Sequence, residues 1–287
     1  MTAVDTPALP TADDVGTWDE DKGSIWLRIP RFVSVPMFLA LLVGVWWVAV
    51  ELAWVSRYVL PPPADVGSEL WSMFDEIIFG GPVRDNLWIT AQEALYGFCV
   101  AALLGIGLGV LVAESTFGRQ VVLPFLVGVN AAPKVAFAPV FVAWLGFGIE
   151  AKVALAAFIA FFPLLVDTAA GLASVDPDQR TLFASLRASR AKRFVKLQLP
   201  ASLPFIFAGL KTASVLAVVG AVVGEFLGGG EGLGQATGIA GNMLATDRVF
   251  GYAIILAIFG YLFYALIVFA ERKLVFWQKP HHIQAAG

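Results

Sequence analysis

The chain has 287 residues, of which 59 % are apolar types and only 14 % charged, with a formal net charge of −3 and a single cysteine, Cys99. An average soluble domain has about 45–50 % apolar and about 25 % charged residues, so a mean hydropathy of +0.79 excludes an ordinary water-soluble globule and makes lipid the main solvent. One cysteine excludes an intramolecular disulfide framework, His281 and His282 alone exclude a Cys/His zinc cage, and no concentrated basic surface points to nucleic acid.

Residues 1–32 are polar and acidic (Asp13, Asp14, Asp19, Glu20, Asp21). They lack the basic-then-apolar order of a secretory signal and are expected to form a weakly ordered cytosolic tail. A bilayer core of about 30 Å takes about 20 apolar helical residues. Six stretches reach that length, at about 33–55, 91–113, 121–146, 152–171, 204–227 and 249–270. They predict an all-α membrane protein with six transmembrane helices over 33–272 and a second cytosolic tail over 273–287. Lys134, Asp167 and Lys211 lie inside the third, fourth and fifth stretches.

Orientation follows from Lys and Arg in the connections. Lys22, Arg28, Arg31, Arg119, Arg180, Arg187, Arg190, Lys192, Arg193, Lys196, Arg272, Lys273 and Lys279 fall on one side, and only Arg57, Arg84, Lys152 and Arg248 on the other. The first side, with both termini, is expected to be cytoplasmic.

In span two, Gly97, Ala101, Gly105 and Gly109 recur every four residues, a face that lets helix backbones approach closely. Span three is interrupted by Pro124, Pro133 and Pro139, so its helix should be kinked or locally open. Lys134 follows the middle proline, with Asn130 one turn earlier. An unpaired lysine at that depth costs roughly 2.5–3.5 kcal/mol, so it should face protein or a water-filled cavity. A place on a translocation path and a tie to a carbonyl or to Asp167 both satisfy that demand. Lys211 can snorkel to its nearby span end. Glu225, near the outer end of span five, could line an outer vestibule or cap the loop Gly228–Gly234. That loop has neither a preceding strand nor a following Gly-Lys-Ser/Thr, so it is expected to be a turning or re-entrant segment rather than a nucleotide site.

The connection at 176–199 opens with Asp176 as a helix N-cap and Pro177 at the first helical position. Leu182, Phe183 and Leu186 form an apolar stripe with Arg180 and Arg187 off it. Such a short amphipathic helix fits anionic lipid headgroups or a groove in a soluble partner.

From about residue 85 to 275 the sequence resembles the permease subunit of bacterial ABC importers of the nitrate/sulfonate/taurine group. The resemblance rests on the runs at 133–148 (PKVAFAPVFVAWLGFG), 161–178, 186–211 and 224–234 (GEFLGGGEGLG), in that order. In that family the cytoplasmic segment carries Glu-Ala-Ala, three residues, Gly, about nine residues, an aliphatic residue, any residue and Leu-Pro. Counting back from Leu199 and Pro200 puts the glycine position on Arg187 and the Glu-Ala-Ala positions on Thr181, Leu182 and Phe183, so this chain departs at all four. The resemblance implies the type I ABC importer permease fold and alternating access in a bacterial inner membrane. It implies a second permease copy, a cytoplasmic ATP-binding-cassette ATPase dimer holding ATP and Mg, and an extracytoplasmic solute-binding protein. No cofactor and no catalytic residue are then expected in this chain. Coupling falls to Arg180, Leu182, Phe183, Leu186, Arg187 and Arg190, and the translocation path to Asn130, Lys134 and Glu225. The cargo would be a small anionic, sulfonate- or nitrate-like solute. A stand-alone secondary transporter or channel is the alternative; it predicts inverted repeats and paired intramembrane ionisable groups.

Overall fold

The computed structural model describes residues 31–277; most of the expected N-terminal tail and the last ten residues lie outside the described residues. Among the described residues every regular element is helical: α1 (Arg31–Glu51), α2 (Pro63–Phe79), α3 (Pro82–Glu114), α4 (Leu123–Asn130), α5 (Ala138–Leu145), α6 (Ile149–Ala173), α7 (Pro177–Ser185), α8 (Arg190–Arg193), α9 (Leu199–Gly228), α10 (Leu233–Asn242) and α11 (Thr246–Leu274). Five uninterrupted helical runs are long and apolar enough to cross a membrane, and α4 with α5 forms a sixth candidate, bent by 85°.

The expected spans need adjustment at their edges. Span one ends at Glu51, where Ala53 adopts φ +52° and turns the chain. Span two begins at Pro82 rather than near 91, because helix geometry continues through the polar Arg84, Asp85 and Asn86 once Pro82 has set the first turn. Its 33 residues extend about 50 Å, more than a bilayer core requires. Span five is longer still: α8 runs through a π-turn at Phe194–Gln198 into α9, giving 39 continuous residues. A second π-turn, Gly118–Val122, precedes α4. Each π-turn stops two residues before a proline, Pro124 or Pro200. A proline ring collides with the carbonyl four residues back in an α-helix, and the wider turn relieves that collision.

Two helices fall where no span was expected. α2 carries Val66, Leu70, Met73 and Ile77 on one stripe, and Leu70, Met73 and Ile77 pack with residues of α3, α10 and α11. α10 follows the glycine turn. Both cap one end of the bundle, called here the α2 end; α7 and α8 lie at the other, the α7 end.

α6 sits between α3 and α9 and packs most extensively on both. Lipid tails are as apolar as leucine, so burying apolar area against them drives little, and close backbone contact has to hold the bundle. The small residues supply it. A Cβ on Gly97 would come within 2.5 Å of Ala156 Cβ, and one on Gly109 within 2.7 Å of Thr168 Cβ. The Gly97–Gly109 stripe is therefore the α3–α6 contact. α9 meets the same helix from the other side through Gly209, Gly220 and Gly224. Around this seam lies the core of Ala94, Ala101, Ala160, Leu164, Ala213 and Ala217, closed toward α11 by an edge-to-face pair, Phe98–Phe263, at 5.1 Å. α1 stands mostly apart: Trp46 donates from Nε1 to the Pro61 carbonyl at 3.0 Å and stacks on Phe250 of α11.

Candidate functional site

The break in span three forms around Ala131–Pro133. α4 ends at Asn130, and a 3₁₀ turn over Lys134–Phe137 leads into α5. The bend withdraws backbone donors from the Asn130 carbonyl, and Lys134 Nζ donates to it at 2.8 Å while lying 5.7 Å from the Phe162 ring centroid on α6. The structure thus brings Asn130 and Lys134 together at the bend. Asn130 Oδ1 is buried and accepts nothing there. The ammonium is half-buried and tied to a carbonyl, one of the two arrangements expected, and its partner is not Asp167. Asp167 lies where Gly209 brings α9 close to α6. Lys211 pairs with Glu271 of α11 at 2.9 Å.

The basic connection folds as the sequence predicts at its start. Asp176 Oδ1 accepts from the Asp178 N–H at 2.7 Å, with Pro177 opening α7. The helix ends in a pair of hydrogen bonds, Arg187 N–H to the Ala184 carbonyl (2.9 Å) and Ala188 N–H to the Phe183 carbonyl (3.1 Å), with Arg187 at φ +49°. That is the Schellman arrangement, whose left-handed residue is usually glycine. The position aligned with the family's glycine thus has the backbone that glycine favours. Ser189 then caps α8 through the Lys192 N–H at 3.3 Å.

Side chains on this segment divide. Leu182 and Leu186 are 56 % and 69 % exposed, and Phe183 is half-buried. Arg187 and Arg190 are exposed. Arg180 turns inward: its Nη2 donates to the Leu172 and Ala173 carbonyls at 3.1 and 3.3 Å, closing the last turn of α6. At the far end of the segment Gln198 Nε2 donates to Glu114 Oε1, the last residue of α3, at 2.8 Å. The segment is an apolar tip framed by arginines and fastened at both ends to transmembrane helices.

Glu225 lies at the α2 end, wholly buried, and faces no open vestibule. It caps the glycine turn, accepting from the Gly234 N–H through Oε2 and from the Thr90 hydroxyl through Oε1 at 2.6 Å. Beside it lies a pair that sequence reading missed: Lys152 and Glu93, 2.9 Å apart, both buried. Lys152 had the look of a loop charge, and Glu93 sat at the edge of an expected span. The available signal was that Glu93, Lys152 and Glu225 fall near the same end of their three spans.

Residues 105–276 match the family of binding-protein-dependent transport system inner membrane components. The chain is 32 % identical over 243 residues to a formylaminopyrimidine transport permease protein of Halalkalibacterium halodurans, covering 85 % of this chain and 95 % of the relative. It is 31 % identical to a putative aliphatic sulfonates transport permease protein of Bacillus subtilis (84 % and 86 % covered). It is 29 % identical to a taurine transport system permease protein of Escherichia coli (83 % and 87 % covered). These likenesses span nearly the whole bundle, including the exposed tip on α7, and leave the stand-alone transporter without support. The chain belongs to the family of binding-protein-dependent transport system inner membrane components and is the permease subunit of an ATP-binding-cassette importer.

Proposed function

We propose that the α7–α8 segment is the element that receives the power stroke of a separate cytoplasmic ATPase dimer, which holds the ATP and Mg and performs the hydrolysis. The carrying observation is the exposure of Leu182 and Leu186 on a segment tied to α6 through Arg180 and to α3 through Gln198. Leu182, Phe183 and Leu186 enter a groove of the partner, Arg187 and Arg190 flank it, and Arg180 keeps the segment aligned with α6. In this reading both termini and the segment are cytoplasmic, as the Lys/Arg distribution requires. Two permease copies pair, and an extracytoplasmic solute-binding protein delivers cargo at the α2 end. Lys134 and Asn130 flank the path at the break of span three. The cargo is a small anion, a reading supported by the lysine there and by relatives that transport taurine or, putatively, aliphatic sulfonates.

The test is co-purification from membranes. Leu182→Asp with Leu186→Asp places two charges in the proposed contact and should abolish recovery of the ATPase, while membrane insertion and thermal stability stay as in the wild type, since both side chains are already exposed. Undiminished recovery of the ATPase would refute the docking assignment.

A further inference from the structure

The cluster at the α2 end has a charge imbalance that its hydrogen bonds resolve. Glu93, Lys152 and Glu225 are 1 %, 4 % and 0 % exposed. With both carboxyls ionised, the three would carry one uncompensated negative charge in a site closed to water, an arrangement that folded proteins avoid by neutralising the group.

The hydrogen-bond partners distinguish the two carboxyls. Both oxygens of Glu225 accept: Oε1 from Thr90, Oε2 from the Gly234 backbone. Glu93 Oε1 accepts from Lys152 Nζ, which also donates to the Glu231 carbonyl at 3.0 Å. Glu93 Oε2 is buried and receives no donor, and the Glu225 carboxyl lies in the same closed cluster. Two carboxyls that share a closed site with a single ammonium are balanced when one of them holds a proton.

We propose that Glu93 Oε2 binds that proton and donates it to Glu225, so that a neutral acid, a carboxylate and the Lys152 ammonium form an electrically balanced latch. The bound proton is structural and does not depend on the cargo. The latch joins α3, α6 and α9 and holds the turn between α9 and α10 against them. Asn86 Oδ1 accepts from the Gly232 N–H and Thr90 Oγ1 from the Leu233 N–H, each at 2.9 Å, on the same side. The α2 ends of α3, α6 and α9 and the glycine turn are thus joined in one polar cluster.

Infrared spectroscopy and thermal unfolding of the full chain in lipid nanodiscs test this without any transport assay. Glu93→Gln reproduces the neutral acid, with its amide donating to Glu225 and its oxygen accepting from Lys152. It should shift the melting temperature by no more than a few degrees and remove one protonated-carboxyl carbonyl band seen in the wild type. Lys152→Met leaves a lone buried charge and should lower the melting temperature by about 10 °C or more. Loss of stability in Glu93→Gln as large as in Lys152→Met overturns the proposal, as does a wild-type spectrum without a band that Glu93→Gln removes. A wild-type melting temperature that rises with sodium but not with potassium would place a cation in the site and also overturn it.

Discussion

Arg187 occupies a left-handed backbone position that a side chain makes costly by about 1 kcal/mol. Ala53 and Leu244 do the same at φ +52° and +57°, each at the end of a helix and each with the six-to-one backbone bond of a Schellman turn, Trp54 to Ala49 and Ala245 to Ala240. At Ala53 and Leu244 the strain only ends a helix. At Arg187 it sits in the proposed power-stroke element, where the family signature has glycine. Arg187→Gly should therefore stabilise the protein by about 1 kcal/mol, less what glycine adds to the freedom of the unfolded chain, read as a small rise in melting temperature. ATPase recovery measured on the same sample separates two roles. A folded, more stable variant that loses the partner assigns the arginine to the contact, and one that keeps it assigns the residue to the turn alone.

At the level of elements, what sequence could reveal depended on whether the cause was local. The N-cap by Asp176, the break in span three and the small face of α3 come from residues close in the chain, and each was readable. α2 is not legible from hydropathy, because a helix with one apolar stripe and a polar back never reaches span-like hydropathy, although Val66, Leu70, Met73 and Ile77 keep helical spacing. The cluster of Glu93, Lys152 and Glu225 was not readable, because it exists only once α3, α6 and α9 are packed in register. Pro133 marks where the third span breaks, whereas the 85° angle of the bend is not written in the local sequence. Within that bend Lys134 has a structural duty to the Asn130 carbonyl and, in the proposed function, a duty to an anion. Lys134→Arg keeps a cation and a donor, and Lys134→Met removes both. In proteoliposomes with the ATPase and binding protein, Lys134→Met should slow uptake about tenfold or more, the consequence of losing a charge-assisted contact of about 1.5–3 kcal/mol, with assembly intact. Lys134→Arg should retain most of the uptake. Equal uptake by Lys134→Met and the wild type would leave the lysine with its structural duty alone.

The whole molecule is organised around α6, and the point of closest approach is Ala156. It is fully buried, with Gly97 of α3 on one side and Gly220 of α9 on the other. A Cβ on Gly220 would stand 2.5 Å from Ala156 Cα, a backbone atom that moves only if a helix moves. In lipid this seam cannot be replaced by apolar burial elsewhere, because the surrounding solvent is equally apolar. Glycines outside the seam carry no such constraint: Gly107, also on α3, has nothing within 4 Å of its would-be Cβ. One substitution should therefore have opposite signs at the two positions. Gly220→Ala forces α9 from α6 and should destabilise by about 1–3 kcal/mol or more, lowering the melting temperature in nanodiscs. Gly107→Ala gains helix propensity of up to about 1 kcal/mol at no steric cost and should raise it. A Gly220→Ala protein as stable as the Gly107→Ala one would mean that the three helices do not meet at Ala156, and the arrangement that places the α7 tip and the Glu93 latch on one rigid seam would fail with it.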